Sequence, residues 1–319
     1  MENDMDYDYR LVSFVDRSGA TRAGVAVHGQ VYDAADLLRA SGLPDAAATM
    51  AGLLDDWPGM DERILEAVNS SALRTTASWP IDSVALVAPV PAPGAIYCAG
   101  VNYRCHREEM ARVHNRPPEP DLRESGFEPW HFLVPPRASL VGPDAIVERP
   151  EGCEKLDWEA ELALVIGRQV RHVSPDEALS AVAGYAIAND LSARDLSVRP
   201  QQNEKSPFRA DWLAHKGFEG ALPLGPWLTP ARFAGDPQKL GVRLWVNDVL
   251  KQDSDTGQMI YSAAEQIAHL SRLRTLYPGD VILTGTPAGV GSARGEFLQP
   301  GDLVRVEIDG LGQLRTRIV

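Results

Sequence analysis

Three carboxylates stand two residues apart at Asp157, Glu159 and Glu161, directly before the apolar run 162–166. A spacing of two predicts a strand, because alternate side chains of a strand point to the same face. Such crowding of like charge is costly unless a cation or protons compensate it. A second apolar segment ends at Asp190, so two acids of one strand and one of the next would form an all-oxygen site for a hard divalent ion. A solvated acidic strand edge is the alternative.

A second pair of residues that could take part in catalysis is His106 and Glu109, in a segment that becomes helix-like near Tyr103. Residues three apart on a helix are neighbours, so the carboxylate can contact the imidazole. That contact would orient the ring and favour its protonated form, as a general base requires. The alternative is a pair on the surface that has no catalytic role.

The elements that must position these residues fall into two regions. Proline-rich residues 80–96 mark the boundary, which predicts a small N-terminal α+β domain over 1–90 and a catalytic domain over 91–319. The first region reads as a hairpin and three short helices: 9–16, 21–28, 34–40, 45–54 and 61–68.

The second region combines capping boxes with strand patterns. Ser174 and Ser262 open helices that we expect to reach about residues 183 and 273. Residues 240–250 contain a strand that turns at Asn247-Asp248, and a glycine-rich loop at 285–291 follows another strand. No Gly-Lys-Ser/Thr follows that loop, which excludes a P-loop. Without βαβ alternation, the pattern predicts a mixed α+β, strand-dominated fold.

We interpret the proline-rich, aromatic segment 111–131 as a lid.

Composition excludes several classes of protein. The 319 residues carry a net charge of −13, which argues against a nucleic-acid partner. No apolar run reaches the roughly 18–20 residues that a membrane span needs, and the acidic N-terminus lacks the pattern of a signal peptide. The three cysteines match no zinc spacing, so we expect a reduced, cytoplasmic protein with neither membrane nor nucleic acid as partner.

From about residue 95 onward the chain resembles the fumarylacetoacetate hydrolase superfamily. The motifs that carry the resemblance are GVNYRCHREEM, DWEAELALVIG, NDLSARD, the segment around Lys216 with LPLGP, and YPGDVILTGTPAGVG. The resemblance implies a catalytic domain of curled mixed β-sheets in the manner of a β-roll, usually a homodimer. It also implies Mg²⁺ or Mn²⁺, with Ca²⁺ as a replacement in crystals.

The resemblance assigns roles residue by residue. Glu159, Glu161 and Asp190 match the metal ligands, and Asp157 is expected to support them rather than to bind the metal. His106 and Glu109 match the family's dyad, and Lys216 matches its active-site lysine. The candidate substrate-binding residues are Tyr103, Arg194, Gln201 and Thr286. Gln201 or Gln202 would replace a family glutamine whose position is occupied here by Ser197.

The implied reaction is metal-dependent hydrolysis of a C–C bond in a β-diketone or acylpyruvate-like (2,4-dioxo acid) substrate. His106, oriented by Glu109, would activate water, and the metal with Lys216 would stabilise the enolate leaving group. A decarboxylase, dehydratase or isomerase of a β-keto or 2-oxo acid could use the same enolate. A binding protein that retains the fold is a further alternative, whereas a dinucleotide-dependent dehydrogenase lacks its glycine fingerprint.

Overall fold

A computed structural model describes residues 8–43, 48–117, 120 and 122–319. Strands dominate this part of the chain. Their bounds are β1 Arg10–Val15, β2 Thr21–Val27, β3 Gln30–Asp33, β4 Ser78–Pro80, β5 Ala85–Val87, β6 Ile96–Ala99, β7 His131–Leu133, β8 Leu140–Val141, β9 Ala145–Val147, β10 Leu156–Asp157, β11 Ala160–Ile166, β12 Val182–Asn189, β13 Ser192–Ala193, β14 Leu222–Pro230, β15 Gly241–Val246, β16 Val249–Asp255, β17 Val281–Leu283, β18 Leu303–Ile308 and β19 Gly312–Ile318.

The helices are mostly short, and they connect the strands. Their bounds are α1 Ala34–Ala40, α2 Met50–Leu54, α3 Trp57–Val68, α4 Ala72–Thr75, α5 Arg104–Val113, α6 Pro136–Ser139, α7 Pro175–Ala178, α8 Trp212–Lys216, α9 Ala231–Ala234, α10 Ala263–Leu273 and α11 Gly291–Arg294. No helix in the described residues is long and apolar enough to cross a membrane.

The largest sheet has 12 strands, and its main path runs β4-β3-β2-β1-β14-β12-β11-β17-β6-β7. At its centre, β11 pairs antiparallel with β12 on one side and with β17 on the other. Every residue of β11 and of β12 is buried, because other elements cover both faces of the sheet. That double burial explains why these strands read as continuous apolar runs rather than as alternating patterns.

A second sheet has five strands, ordered β16-β15-β18-β19-β9, and β10 pairs with β13 in a separate two-stranded sheet. Its strands β15 and β18 alternate between buried and partly exposed positions, since one face packs on the core and the other meets solvent. One face of β11 and β12, which includes Leu162, Leu164 and Ile187, joins the buried residues of β15, β18 and β19 in one hydrophobic cluster. The other face packs in a separate cluster with residues of the N-terminal strands and helices. The prediction of a mixed, strand-dominated α+β fold is confirmed.

Three local expectations need correction. The acidic strand is interrupted, because β10 ends at Asp157 and β11 begins at Ala160. The helix that starts after Ser174 does not reach residue 183: it ends at Ala178, and a 3₁₀ turn leads directly into β12. The helix expected over 45–54 begins at Met50, and its first predicted residues lie partly outside the described ones.

The proposed boundary at residue 90 stays a prediction. The strands that precede it share a sheet with those that follow, since Leu11 of β1 pairs with Leu228 of β14.

Candidate active site

The three acids meet where two neighbouring strands end. Ala160 of β11 pairs with Asn189 of β12 in an antiparallel register. The start of one strand therefore lies beside the end of the other, which brings Glu159 and Glu161 next to Asp190. One oxygen from each carboxylate lies within 4.8 Å of the other two. All three side chains are buried, so the alternative of a solvated acidic edge does not apply.

The carboxylates differ in their electrostatic surroundings. Burial raises the pKa of Glu161 well above its usual range, and Asp190 and Glu159 raise it further. Burial also raises the pKa of Asp190, to about 6, against the opposing effect of Lys216. Burial disfavours the charged form of Glu159 as well, but Lys216 and Arg194 outweigh it and lower the pKa of this residue. The cluster therefore holds more negative charge than its surroundings stabilise.

Two cationic side chains offset part of that charge. Lys216 Nζ lies 2.6 Å from Glu159 Oε2 and 2.8 Å from Asp190 Oδ2. Arg194 donates to Glu159 Oε1 at 2.6 Å and to Asp157 Oδ2 at 2.8 Å. With all groups ionised, four carboxylates would face two cations, and a divalent metal would supply the two missing positive charges.

The residues present fit such a metal. The donor set contains only carboxylate oxygens, which are the ligands that Mg²⁺ and Mn²⁺ prefer. Asp190 Oδ1 is buried and has no hydrogen-bond partner in the described part of the chain. A buried acceptor without a donor is costly, and coordination to a cation would satisfy it.

Asp157 does not join this group. Its Oδ1 accepts from the N–H groups of Trp158 and Gly291 at 2.8 and 2.6 Å, and its Oδ2 accepts from the N–H of Ser292 at 2.9 Å. The side chain thus ties the acidic strand to the loop that follows β17. Arg194 links this carboxylate to Glu159.

The His106–Glu109 pair lies on α5, with Nδ1 of the imidazole 3.6 Å from Glu109 Oε2. Nδ1 is buried, which leaves Nε2 as the nitrogen available to a substrate. The Gly289 N–H donates to both oxygens of Glu109, at 3.0 and 2.9 Å. Burial raises the pKa of Glu109, but His106 and the Gly289 N–H together bring it below its usual value.

Glycine is required at position 289. The backbone there has φ +101°, and a Cβ atom would collide with the carbonyl oxygen of Lys251. Any larger residue would move the N–H that holds Glu109.

A cavity of about 120 Å³ joins the acids to His106. Its polar wall contains the three acids, His106, Lys216, Arg194 and Thr286, and its apolar wall contains Phe132 and Trp212. The Trp212 and Phe132 rings lie 4.9 Å apart, and Trp130 extends the aromatic cluster at 5.1 Å from Trp212. The space is small compared with the roughly 300–1,000 Å³ of pockets for drug-sized ligands.

The predicted substrate-binding residues separate into two groups. Thr286 and Arg194 line the cavity. Tyr103 is fully buried and is absent from the cavity wall, and Gln201 is exposed. Gln202 accepts from Ser206 within its own loop, so neither glutamine reaches the position expected for it.

The segment interpreted as a lid is attached to α10. Arg123 makes two hydrogen bonds to Glu265, at 2.6 and 2.5 Å, and Arg272 donates to Glu128 at 2.5 Å. Residues 118, 119 and 121 of this segment lie outside the described ones. Its movement stays a prediction.

Sequence reasoning missed the aromatic wall and Gln252. Trp212 lies four residues before Lys216 on a helix pattern, and that spacing would have placed the two on one face. Gln252 carried no comparable signal, because it lies in the polar stretch KQDSD of its strand, in which nothing distinguishes the buried position from its exposed neighbours.

Comparison with known proteins supports this description. A family model described as fumarylacetoacetate (FAA) hydrolase C-terminal matches residues 95–319. The mitochondrial oxaloacetate tautomerase fahd2 of Xenopus laevis is 38% identical over 263 residues, which are 82% of this chain and 76% of the relative. The segment matched by the family model contains the acids, the dyad and Lys216.

Two solved structures are similar over nearly their whole length. A fumarylacetoacetate hydrolase from the psychrophile Exiguobacterium antarcticum has a TM-score of 0.75 at 30% identity, covering 97% of this chain and 99% of that chain. Maleylpyruvate hydrolase from Sphingobium sp. SYK-6, in complex with manganese(II) ion and pyruvate, has a TM-score of 0.71 at 30% identity, covering 97% and 98%.

Proposed function

The chain belongs to the fumarylacetoacetate hydrolase family, and on that premise we propose that it enolises short 2-oxo acids in a reaction that depends on a divalent metal. The preferred reaction is keto–enol tautomerisation of an oxaloacetate-like 2-oxo diacid. The observation that carries the proposal is a small cavity with His106, the buried acids and the Lys216 ammonium on its walls, in which Glu109 lies behind the His106 imidazole.

Tautomerisation needs a group that moves a proton at C3 of the substrate. His106 can do this through Nε2, since Nδ1 faces Glu109. When the imidazole takes the proton, the C3–H electron pair forms the C2–C3 double bond and the C2 oxygen becomes anionic. The Glu109 carboxylate stabilises the resulting imidazolium. Return of a proton to C3 regenerates the keto form, and protonation of the oxygen gives the enol.

The anionic oxygen needs positive charge close to it. Burial lowers the pKa of Lys216, but Asp190 and Glu159 outweigh it and raise the pKa above the usual value, so the side chain remains an ammonium ion. A divalent metal held by Glu159, Glu161 and Asp190 would polarise the 2-oxo group as a Lewis acid. We propose Mg²⁺ or Mn²⁺, because the donor set consists only of oxygens.

Arg194 is suited to a second carboxylate of the substrate. It lines the cavity and uses Nε and Nη2 in its bonds to Asp157 and Glu159. Within the described residues Nη1 makes no hydrogen bond, and guanidinium donors favour carboxylates. Together with the small volume of the cavity, this favours a four-carbon diacid over a long acyl chain.

Hydrolysis of a C–C bond is the second candidate. The His106–Glu109 dyad would serve it equally well by activating water, and a maleylpyruvate hydrolase shares the fold. The small-molecule keto acid, the homodimer and the cytoplasmic location predicted above are retained as parts of the proposal.

Two assays on the Mn²⁺-loaded full chain test the assignment. The first follows the loss of enol absorbance from enol-oxaloacetate, with free Mn²⁺ as the background. The second follows cleavage of acetylpyruvate to acetate and pyruvate by NMR. We expect accelerated ketonisation of enol-oxaloacetate, and His106→Ala should lower that rate about 10²–10⁴-fold, which is the usual range for loss of a general base.

His114→Ala provides the matched control, because His114 is exposed at the end of the same helix. Its rate should equal that of the wild type. A wild-type protein that cleaves acetylpyruvate but does not accelerate ketonisation would replace the first candidate with the second. If His106→Ala keeps the full rate, His106 is not the base.

A further inference from the structure

Gln252 is a fully buried amide on β16. Every other residue of that strand is exposed or partly exposed. Its Oε1 accepts from the Ala160 N–H at 2.9 Å, at the first residue of β11. Its Nε2 donates to Thr286 Oγ1 and to the Pro287 carbonyl oxygen, both at 2.9 Å, with a longer contact of 3.5 Å to the Ala288 carbonyl oxygen. The side chain therefore connects the acidic strand to the glycine-rich loop.

The orientation of this amide is fixed by its partners. Ala160 offers a donor and requires an acceptor, whereas the Pro287 carbonyl is an acceptor and requires a donor. Exchange of the amide oxygen and nitrogen would place N–H against N–H and oxygen against oxygen. The NH₂ group must therefore face Thr286.

This orientation determines the role of the Thr286 hydroxyl. A hydroxyl has one hydrogen and two lone pairs, and one lone pair of Oγ1 accepts from Gln252. Its own hydrogen cannot point at the amide NH₂ and must point elsewhere. Thr286 lines the cavity, and among the described residues its hydroxyl donates to no other group.

We infer that Gln252 is a positioning residue which fixes Thr286 as a hydrogen-bond donor to a carboxylate or carbonyl oxygen of the substrate. The inference deepens the proposed function, since it rests on the same site and on a 2-oxo acid as ligand. It predicts that the polarity of residue 252, rather than its size, controls the affinity for such an acid.

Gln252→Glu reverses that polarity with almost no change in shape. One carboxylate oxygen can still accept from Ala160. The other accepts from Thr286, whose hydrogen then turns away from the cavity, and it also faces the Pro287 carbonyl oxygen, so the variant loses that hydrogen bond as well. Binding of pyruvate should weaken about 10- to 100-fold, which corresponds to the loss of one hydrogen bond to a charged group. The methionine of Gln252→Met neither donates to nor accepts from Thr286 and leaves the Thr286 hydroxyl free to rotate. The loss of pyruvate affinity should therefore be smaller than in Gln252→Glu.

The test is calorimetric titration of pyruvate into the full chain loaded with Mn²⁺. The variants are Gln252→Glu, Thr286→Val and the double variant, with Thr286→Ser as the control that keeps the hydroxyl. We expect Thr286→Ser to bind nearly as the wild type does. Each single change should weaken binding, and the double variant should be no weaker than Thr286→Val alone, because both act through one hydrogen atom.

Several results would overturn the inference. An unchanged affinity of Gln252→Glu for pyruvate would do so. An equal loss of affinity from Gln252→Glu in the wild-type background and in the Thr286→Val background would do so as well. If Gln252→Glu does not fold, Gln252→Met must still weaken binding in the wild-type background and have no effect in Thr286→Val. A wild type that binds no pyruvate also contradicts it. Because binding requires no turnover, these outcomes are independent of the rate assays that decide the proposed function.

Discussion

Asp157→Asn should destabilise the protein far more than the loss of one charge at the surface would. The carboxylate is fully buried and accepts four hydrogen bonds, two at each oxygen. In asparagine one of the two oxygens becomes an NH₂ group. Whichever way the amide turns, two of the four donors lose their acceptor: either the N–H groups of Trp158 and Gly291, or those of Ser292 and Arg194.

The size of the effect follows from these bonds. Each hydrogen bond to a charged group contributes about 1.5–3 kcal/mol, so the loss of two costs about 3–6 kcal/mol. Arg194 keeps its bond to Glu159 and is not left without a partner, so no larger penalty for an isolated buried charge applies. An unfolding entropy of about 2 cal/mol/K per residue over 319 residues converts this cost to a fall in Tm of about 4–9 °C.

Differential scanning calorimetry on the wild type and the variant measures the change. Asp253→Asn is the matched control, because Asp253 is exposed and makes one ion pair of 3.6 Å with Arg243. Exposed pairs contribute about 0–1 kcal/mol, so its Tm should move by no more than about 1–2 °C. If Asp157→Asn and Asp253→Asn lower Tm equally, the four bonds do not carry the stability assigned to them.

Three further predictions concern pH, the metal and the segment 111–131. Burial lowers the pKa of His131 to about 4, so protonation of this residue in the unfolded chain should lower the stability as the pH drops from about 6.5 towards 4. The contribution of His131 alone should be about 2 kcal/mol at pH 5. Urea denaturation at a series of pH values should show that the stability of His131→Gln depends less on pH than that of the wild type. The exposed control His172→Gln should have the same pH dependence as the wild type. Glu161→Gln should change the Tm of the metal-free protein little, because burial raises the pKa of this carboxyl and so disfavours the charge that the variant removes. The same change should abolish the rise in Tm that Mn²⁺ gives the wild type, and a retained rise would exclude Glu161 as a ligand. Amide hydrogen exchange in residues 111–131 should slow when pyruvate and Mn²⁺ bind, and equal exchange in both states would contradict the lid.

Local patterns were sufficient to predict the strongest elements. The capping box at Ser262 predicted α10, which ends at Leu273 as expected. The apolar runs before Asp190 and after Glu161 predicted β12 and β11, because residues buried on both faces must be apolar. The spacing of Glu159 and Glu161 also predicted correctly that their carboxylates lie in one cluster, although the strand is interrupted between Asp157 and Ala160.

Partners distant in sequence could not be inferred from those patterns. Asp157 is held by the N–H groups of Gly291 and Ser292, which lie more than 130 residues later in the chain, and so its supporting role could not be derived from the spacing of the acids. Gln252 meets Thr286 only because β16 packs beside the glycine-rich loop. Gln201 was expected to fold back towards the site, but its loop is closed by its own hydrogen bonds, among them those from Arg209 and Ser206 to Gln202.

The glycine-rich loop explains why this site depends on contacts that no short motif encodes. The Gly285 N–H donates to Glu161 at 2.7 Å, and the Gly289 N–H donates to Glu109. The N–H groups of Gly291 and Ser292, where the loop passes into α11, donate to Asp157. The Gln252 amide donates to the Thr286 hydroxyl and to the Pro287 carbonyl oxygen of the loop. One stretch of backbone therefore positions a candidate metal ligand, the partner of the base and the support of Arg194 at the same time. A change in this loop should disturb metal binding and proton transfer together, whereas a change in α5 should disturb proton transfer alone.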